Sequence, residues 1–240
     1  MTSAGKLYLI PSPLGESAPV DAVIPTGTLE ILRSIRYFVV EELRTARRYL
    51  SKAGIGVPID NLHFFELNEH TPPEQDISPY LQATAEGHNI GLLSEAGVPA
   101  VADPGARLVR LAHQKNIAVV PLTGPSSLLL ALMASGLNGQ NFAFAGYLPV
   151  KPQERQQRLR LLEKRSSAEQ QTQLFIETPY RNNALLADIL TTCRPNTLLC
   201  IVANLTEPDA FIKTLSVDEW KTTSVDLHKK PCVFLLSARC

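Results

Sequence analysis

Residues 94 to 105 read Ser94-Glu95-Ala96-Gly97-Val98-Pro99-Ala100-Val101-Ala102-Asp103-Pro104-Gly105. They follow an apolar run at 90–93 and precede a helical pattern that begins at Ala106. A buried strand that ends in glycines, prolines and small side chains produces a loop whose backbone a ligand can approach closely. In open α/β sheets, ligands bind outside the carboxyl ends of the strands. This loop is therefore the first candidate for a ligand site.

A second loop of the same kind follows the next apolar run, at 118–122, and reads Thr123-Gly124-Pro125-Ser126-Ser127. If both runs are strands of one parallel sheet, their carboxyl ends lie at the same edge. The two loops then outline a crevice at that edge.

Short apolar runs alternate with helix-period segments throughout the first part of the chain. The runs predict strands at 6–10, 37–41, 63–67, 90–93 and 118–122, with helices between them. Such alternation is typical of a mostly parallel sheet with helices on both faces. After about residue 150 the strands are separated by shorter loops, which favours a mixed sheet with helices. We therefore predict an α/β protein with one domain at 1–146 and a second at 147–240.

Composition narrows the classes of function. Lys plus Arg and Asp plus Glu both number 23, so nucleic acid would have to bind to a local basic patch. The four cysteines form no C-x-x-C pair and the histidines show no ligand spacing, so we predict no metal. No apolar stretch approaches a signal-peptide core or a membrane span, so we expect a cytoplasmic protein with no membrane contact.

Two basic runs stand out on predicted helices. Arg44, Arg47 and Arg48 share one helix face by their spacing, and a later polar helix carries a second run that includes Arg155 and Arg158. Solvated helix surface is one explanation for both runs. A groove that follows a phosphate backbone is the other, if the two runs flank one crevice.

Three acidic residues have candidate roles in the loops or at a strand end. Glu95 either caps the following turn or accepts hydrogen bonds from the ribose or amino group of a ligand. Asp103, before Pro104, is interpreted as a helix cap. Glu177, at a predicted strand end, either pairs with Arg181 at a domain interface or positions a polar substrate.

Several segments, in this order, resemble the tetrapyrrole methylase superfamily of S-adenosylmethionine-dependent methyltransferases. Within it they are closest to the ribosomal RNA small subunit methyltransferase I branch, which methylates a cytidine 2′-oxygen. The matching segments lie at 7–15, 41–50, 93–105, 121–127, 134–137, 144–148, 177–181 and 203–206. Where the family usually has Ser-Asp-Ala-Gly-Thr-Pro, this chain has Ser94-Glu95-Ala96-Gly97-Val98-Pro99, which keeps the carboxylate.

The resemblance implies two α/β domains with the methyl donor, S-adenosylmethionine, in a cleft between them, and a homodimer. It implies that the donor is bound by Leu14, Ser94, Glu95, Ala96, Gly97, Val98, Ser126 and Ser127 and, in the second domain, by Ile176, Glu177, Ala203, Pro231 and Cys232. Small residues in this set admit a ligand, while Leu14 and Val98 supply apolar walls.

The preferred hypothesis is 2′-O-methylation of a ribose in small-subunit ribosomal RNA, with the RNA or the small ribosomal subunit as partner. The candidate catalytic residues are Glu41, Glu42, Arg44, Glu177 and Arg181, and the candidate RNA-binding residues are Arg44, Arg47, Arg48, Arg155 and Arg158. Two alternatives remain open. The acceptor could be a small molecule such as a tetrapyrrole, or the chain could be a non-catalytic module that binds the donor or its demethylated product during ribosome assembly.

Overall fold

A computed structural model describes residues 4–238 and divides the chain into two compact units, up to Ser126 and from Ser127 onward. The first unit has an α/β fold with a five-stranded sheet. Its elements are β1 (Leu7–Ile10), α1 (Val20–Val23), α2 (Thr26–Ser34), β2 (Tyr37–Val40), α3 (Leu43–Lys52), β3 (His63–Glu66), β4 (Ile90–Leu93), α4 (Gly105–Gln114) and β5 (Val119–Pro121), with short 3-10 helices at Ile59–Asn61 and Ser78–Glu86. The strand order is β3-β2-β4-β1-β5 and every pairing is parallel, as the alternating pattern predicts.

Helices cover both faces of this sheet because its strands are apolar on both sides. Phe38 and Val40 of β2 pack into a cluster with Leu32 of α2 and Leu50 of α3. Val39, between them, points to the opposite face. The cluster there includes side chains of α4 and of the second 3-10 helix.

The order in which the chain adds strands to the sheet reverses between β1 and β4. From β1 the chain passes over β4 to β2 and then to β3, and it returns through β4 and over β1 to β5. β1 and β4 are hydrogen-bonded neighbours, and their carboxyl ends mark the switch point. Open α/β sheets bind ligands at such a point.

The second unit contains a mixed sheet, as predicted. Its elements are α5 (Ser127–Ser135), β6 (Phe142–Tyr147), α6 (Pro152–Glu169), β7 (Thr172–Ile176), α7 (Asn182–Thr192), β8 (Leu198–Ala203), β9 (Phe211–Ser216), α8 (Val217–Lys221) and β10 (Cys232–Ser237). The strand order is β6-β7-β10-β8-β9, in which only β6 and β7 are parallel neighbours.

The position of the division differs from the predicted boundary at 146/147. The structure divides the chain at 126/127, so α5 and β6 belong to the second unit. The physical reason is long-range pairing, because β6 hydrogen-bonds to β7 and Ala131 and Leu132 of α5 pack against strands of the mixed sheet. Neither contact has a signature in the local sequence.

The core of the second unit lies between the sheet and α6, α7 and α8. Trp220 is its largest buried side chain, and its indole N–H donates to the Leu199 carbonyl at 2.8 Å. Cys193, Cys200 and Cys232 are buried free thiols, while Cys240 lies outside the described residues. Within residues 4–238, none of the helices has the length and apolar character required to cross a bilayer.

Candidate functional site

The loops after β1 and β4 are joined to each other at the switch point. Ser12 and Gly97 form an antiparallel bridge, in which the Ser12 amide donates to Gly97 at 2.8 Å and the Gly97 amide donates to Ser12 at 3.1 Å. The Ser12 hydroxyl also donates to the Ser94 carbonyl at 3.0 Å. These three bonds hold the backbones of the loops after β1 and β4 against each other without a ligand.

Gly97 is required by this arrangement. Its φ is +73°, which L side chains rarely adopt, and a Cβ there would lie 3.1 Å from Leu14 Cδ2 and 3.5 Å from the Pro125 carbonyl oxygen. The contact brings together the loops that follow β1, β4 and β5. These three loops therefore lie next to one another within the first unit, and the crevice between the loops at 94–105 and 123–127 stays a prediction.

A carboxylate from a third strand end completes this edge. Glu41 directly follows β2, and its Oε2 accepts from the Glu95 amide at 3.2 Å. Burial raises the pKa of Glu41 above its ordinary value, and the negative charges of Asp103, Glu95 and Glu69 add to the rise. Glu95 itself is exposed, so its carboxylate is available to a ligand.

Asp103 has the capping role that the sequence predicts. Its carboxylate accepts from the Gly105 amide at 2.7 Å and from the Ala100 amide at 2.9 Å, which links the start of α4 to the loop before it. Ala100 and Ala102 adopt positive φ values of 65° and 61°. A non-glycine residue in this region is unusual, and strain of this kind is common near binding sites.

A cleft of about 210 Å³ opens beside these loops. Its lining combines strand-end loops with one side of α3: Ser12, Pro13, Leu14, Gly15, Glu16, Ala18, Val20, Thr45, Ala46, Arg48, Tyr49, Lys52, Ser94, Glu95 and Ala96. A neighbouring cleft of about 420 Å³ shares the lining residues Glu16, Ala18, Val20 and Lys52. The neighbouring cleft has a volume in the range of small-molecule sites, about 300–1,000 Å³, and the cleft beside the loops lies below that range.

The residues of α3 separate into structural and open groups. Glu42 caps the helix by accepting from the amides of Arg44 (2.9 Å) and Thr45 (2.5 Å), and these bonds lower its pKa. Arg47 pairs with Asp60, and Arg48 pairs with Glu16 at 2.8 Å. Arg44 is exposed, with no salt bridge to any acidic side chain among residues 4–238.

The candidate residues of the second unit lie at one edge of the mixed sheet. β7 and β8 end at Ile176 and Ala203, and β10, which is antiparallel to both, begins at Cys232. In the register, Cys232 is opposite Ala203, and Val233 is opposite Ile176. Burial raises the pKa of the Cys232 thiol to about 12, so it is protonated at neutral pH.

Glu177 forms an ion pair inside this edge. Its side chain is fully buried, and Oε1 accepts from Arg181 Nη2 and from the Thr178 amide, both at 2.7 Å. Glu177 Oε2, Arg181 Nε and Asn182 Oδ1 are buried without a hydrogen-bond partner in the structure. Glu177 and Arg181 therefore form the predicted ion pair, both members of which belong to the second unit, while its place at a domain interface stays a prediction.

Arg155 does not form part of a basic surface, which corrects the prediction that it binds RNA. It is buried, its Nε donates to Asp188 Oδ2 at 2.6 Å, and Nη1 donates to the Val150 carbonyl at 2.9 Å. Burial of an arginine is tolerated when its charge is paired with a carboxylate. Asp188 of α7 is the partner of Arg155. Arg158 is partly exposed on the same helix.

Two residues that support the site were missing from the predicted set. Ser12 joins the candidate loops, and the Tyr49 hydroxyl donates to the Pro11 carbonyl at 2.9 Å from a buried position on α3. Neither residue belongs to a motif with a chemical signature, but Tyr49 lies on the apolar face of α3 with Ala46 and Leu50. Ser126 and Ser127 lie at the division of the two units.

Among residues 4–238, no group of three or more histidine, cysteine, aspartate or glutamate side chains is arranged so that it could hold a metal ion.

Comparison with known proteins places this chain in a family. The profile of the Tetrapyrrole (Corrin/Porphyrin) Methylases matches residues 20–220. A protein of Escherichia coli O157:H7 named ribosomal RNA small subunit methyltransferase I is 34% identical over 205 residues, which cover 85% of this chain and 67% of the relative. The protein of the same name from Pseudomonas aeruginosa PAO1 is 30% identical over 238 residues, 98% of this chain and 79% of the relative.

A solved structure agrees on the fold. The crystal structure of the methyltransferase CobJ superposes with a TM-score of 0.65 at 16% identity and covers 98% of this chain and 95% of its own. Profile, relatives and fold therefore agree with the resemblance of the loop motifs. The chain belongs to the tetrapyrrole methylase family and is an S-adenosylmethionine-dependent methyltransferase.

Proposed function

We propose that the chain transfers a methyl group from S-adenosylmethionine to a ribose 2′-oxygen of small-subunit ribosomal RNA. The observation that carries the proposal is the edge of the parallel sheet, where the joined loops after β1 and β4 meet the carboxylates of Glu41 and Glu95. The relatives named ribosomal RNA small subunit methyltransferase I support the class of acceptor.

The residues at this edge fit the methyl donor. It carries a sulfonium and an amino group, both positively charged, and a ribose diol that donates hydrogen bonds. Glu95 is an exposed carboxylate beside the cleft, and Leu14 supplies an apolar wall. The positive φ at Gly97 and the small side chain of Ala96 let the donor approach the backbone.

The bound donor supplies an activated methyl group, so the protein must chiefly align the acceptor oxygen and remove its proton. Alignment alone can lower the barrier by about 7–11 kcal/mol. Glu41 is the proposed proton acceptor, because its raised pKa makes it a better base than an ordinary carboxylate. Glu42 caps α3 and Glu177 is held by Arg181, so neither carboxylate is open to the acceptor in this structure.

Arg44 is the proposed phosphate contact of the first unit. It is exposed in the first turn of α3, whereas Arg47 and Arg48 pair with acidic side chains. An exposed guanidinium without a competing carboxylate can bind a phosphate through two hydrogen bonds. Arg47 and Arg48 would contact RNA only by exchanging their partners. The roles of Ile176, Ala203, Pro231 and Cys232 in donor binding stay predictions from the resemblance.

The test is transfer of a tritiated methyl group from S-adenosylmethionine to unmodified small-subunit ribosomal RNA and to purified small subunits. We expect label in a linkage resistant to alkaline hydrolysis, as 2′-O-methylation requires. Glu41→Gln should lower kcat by about 10²- to 10⁴-fold while donor affinity is kept. Glu86→Gln, at an exposed position before the amino end of β4, is the matched control and should be unchanged.

Two outcomes would overturn the proposal. Labelling of a small molecule but of neither RNA nor subunits would assign a small acceptor, such as a tetrapyrrole. Tight donor binding with no transfer to any of these acceptors would assign a non-catalytic module. A homodimer and a cytoplasmic location stay predictions from the resemblance and the sequence, and light scattering of the purified chain checks the first.

A further inference from the structure

A basic cleft lies in the second unit. Its volume is about 460 Å³, and its lining is Arg160, Glu163, Lys164, Ser167, Ala168, Gln170 and Arg194. Because α6 leads into the start of β7 and Arg194 precedes the start of β8, the cleft lies at the amino ends of these strands. The candidate residues Ile176, Glu177 and Ala203 lie at the opposite edge of the same sheet.

Some basic residues on and next to α6 form salt bridges with acidic side chains, and others do not. Along α6, Lys151 pairs with Glu154, Arg155 with Asp188, and Arg165 with Glu169. Arg160 and Lys164 are exposed and form no salt bridge with an acidic side chain of residues 4–238. Their i, i+4 spacing places both on one face of the helix, at the cleft.

Arg194 is held at the cleft by a buried carboxylate. Glu163 Oε1 accepts from the Arg194 amide at 2.8 Å and from the Thr197 hydroxyl at 2.5 Å, and Oε2 lies 3.7 Å from Arg194 Nε. Arg160 and Lys164 are thus the unpaired cations of the cleft. Arg194 is paired with the buried Glu163 only across 3.7 Å, beyond hydrogen-bond distance, so its guanidinium stays half exposed to a further anion. The chain as a whole has no net charge, which makes this local excess distinctive.

We propose that this cleft binds the phosphodiester backbone of the RNA substrate at a second contact, outside the catalytic edge. The inference rests on the proposed function, because it takes RNA as the acceptor. Three cations from two elements around one concave surface suit a polyanion that runs across them, and phosphate contacts position an RNA without reading its sequence. The contact would be made by Arg160, Lys164 and Arg194, in place of the buried Arg155.

The experiment compares wild type with the triple variant Arg160→Gln, Lys164→Gln, Arg194→Gln. Binding of fluorescein-labelled oligouridylate is measured by anisotropy over a range of KCl concentrations. Removal of three phosphate contacts should reduce the slope of log affinity against log salt by about 2. A fourfold rise in salt should then weaken binding by the variant about 16-fold less than binding by wild type.

The matched control neutralises cations that are already paired, with Lys151→Gln, Arg165→Gln and Lys221→Gln in one chain. It removes the same charge but should keep the salt slope close to wild type. The double variant Arg160→Gln, Lys164→Gln leaves Arg194 and Glu163 untouched and should lose about 1.4 from the slope. This double variant keeps the test valid if the triple variant is poorly folded.

The failures of the two proposals are distinguishable. If wild type methylates RNA but both cleft variants keep the wild-type slope, the inference is overturned and the proposed function is unaffected. If the triple variant loses thermal stability with an unchanged slope, the three cations serve the fold and the inference is again overturned. If wild type neither binds nor methylates RNA, both proposals fail.

Discussion

The acidic residues at the strand ends of the two sheets differ in their exposure and in their hydrogen-bond partners. At the edge of the parallel sheet, Glu41 is partly buried and accepts from the Glu95 amide, and the exposed Glu95 lines an open cleft. At the edge of the mixed sheet, Glu177 is fully buried and its Oε1 is occupied by Arg181 and Thr178. The first edge leaves the Glu95 carboxylate exposed, whereas the carboxylate of the second edge is hydrogen-bonded within its own turn.

This difference separates residues that act on a ligand from residues that shape the chain. An exposed carboxylate is fully hydrated, so its removal affects ligand binding more than folding. A buried paired carboxylate supports its partners, and its removal leaves their polar groups unsatisfied. Sequence motifs alone do not distinguish the two kinds, since Glu95 and Glu177 both belong to the predicted site.

The largest expected effect on stability is at Glu177. Glu177→Ala leaves the Thr178 amide without a partner and the Arg181 guanidinium, whose side chain is 38% exposed, without its carboxylate. We expect the free energy of unfolding to fall by about 2 kcal/mol, measured by urea denaturation. Glu95→Ala, at the exposed edge, should change it by less than about 0.5 kcal/mol. Equal losses in the two variants would remove the distinction between the edges.

Gly97→Ala tests the approach of the three loops. The positive φ alone should cost about 1–2 kcal/mol of stability. Gly136→Ala is the matched control, because Gly136 has a φ of +69° and no atom within 4 Å of the added Cβ. Both variants should lose similar stability, but only Gly97→Ala should weaken binding of S-adenosylmethionine in calorimetry. Equal donor affinity in the two variants would show that the contact at Leu14 does not shape the site.

Tyr49→Phe removes one hydrogen bond that supports the loop after β1. The Pro11 carbonyl loses its donor in a buried environment, so the free energy of unfolding should fall by about 1 kcal/mol. Tyr180→Phe is the control, because Tyr180 is 71% exposed at the other edge. Thermal and urea denaturation of both variants would measure the difference. Unchanged stability of Tyr49→Phe would mean that Pro11 finds another donor.

The smallest expected effect is on the pH dependence of stability. It should have opposite signs for variants of the adjacent residues Glu41 and Glu42. Burial raises the pKa of Glu41, so wild type loses stability as the pH rises through that raised value. Glu41→Gln lacks this loss, and its stability relative to wild type should therefore increase from acid to neutral pH, by less than about 1 kcal/mol because solvent screens the group.

Glu42 provides the contrast. Its pKa is lowered by the bonds that cap α3, so it stabilises the fold above the ordinary carboxyl range and the stabilisation is lost as the pH falls. Glu42→Gln should therefore lose stability relative to wild type at neutral pH and approach it in acid. The same sign for both variants in urea titrations would contradict the assigned environments.

The sequence predicted the features that depend on local pattern. Alternating apolar runs gave the parallel sheet, and the composition of residues 94–105 located a loop at its switch point. The cap formed by Asp103 followed from its position before Pro104. In each of these cases, neighbours in the chain determine the structure.

Features that depend on distant partners were missed. The run of basic residues on α6 gave no sign that Arg155 is buried against Asp188 of α7, or that Arg194 joins Arg160 and Lys164. The domain boundary was placed too late because β6 pairs with β7 across the whole of α6. The cap formed by Glu42 was missed because glutamate is not among the preferred capping residues.

The most direct test of the central claim is calorimetric titration of S-adenosylmethionine into wild type, Glu95→Ala and Glu86→Ala. If the loops of the parallel sheet hold the donor, wild type and Glu86→Ala should bind with the same affinity and one site per chain. Glu95→Ala should bind about tenfold or more weakly, since a charge-assisted hydrogen bond contributes about 1.5–3 kcal/mol. Wild-type affinity in Glu95→Ala would contradict the claim.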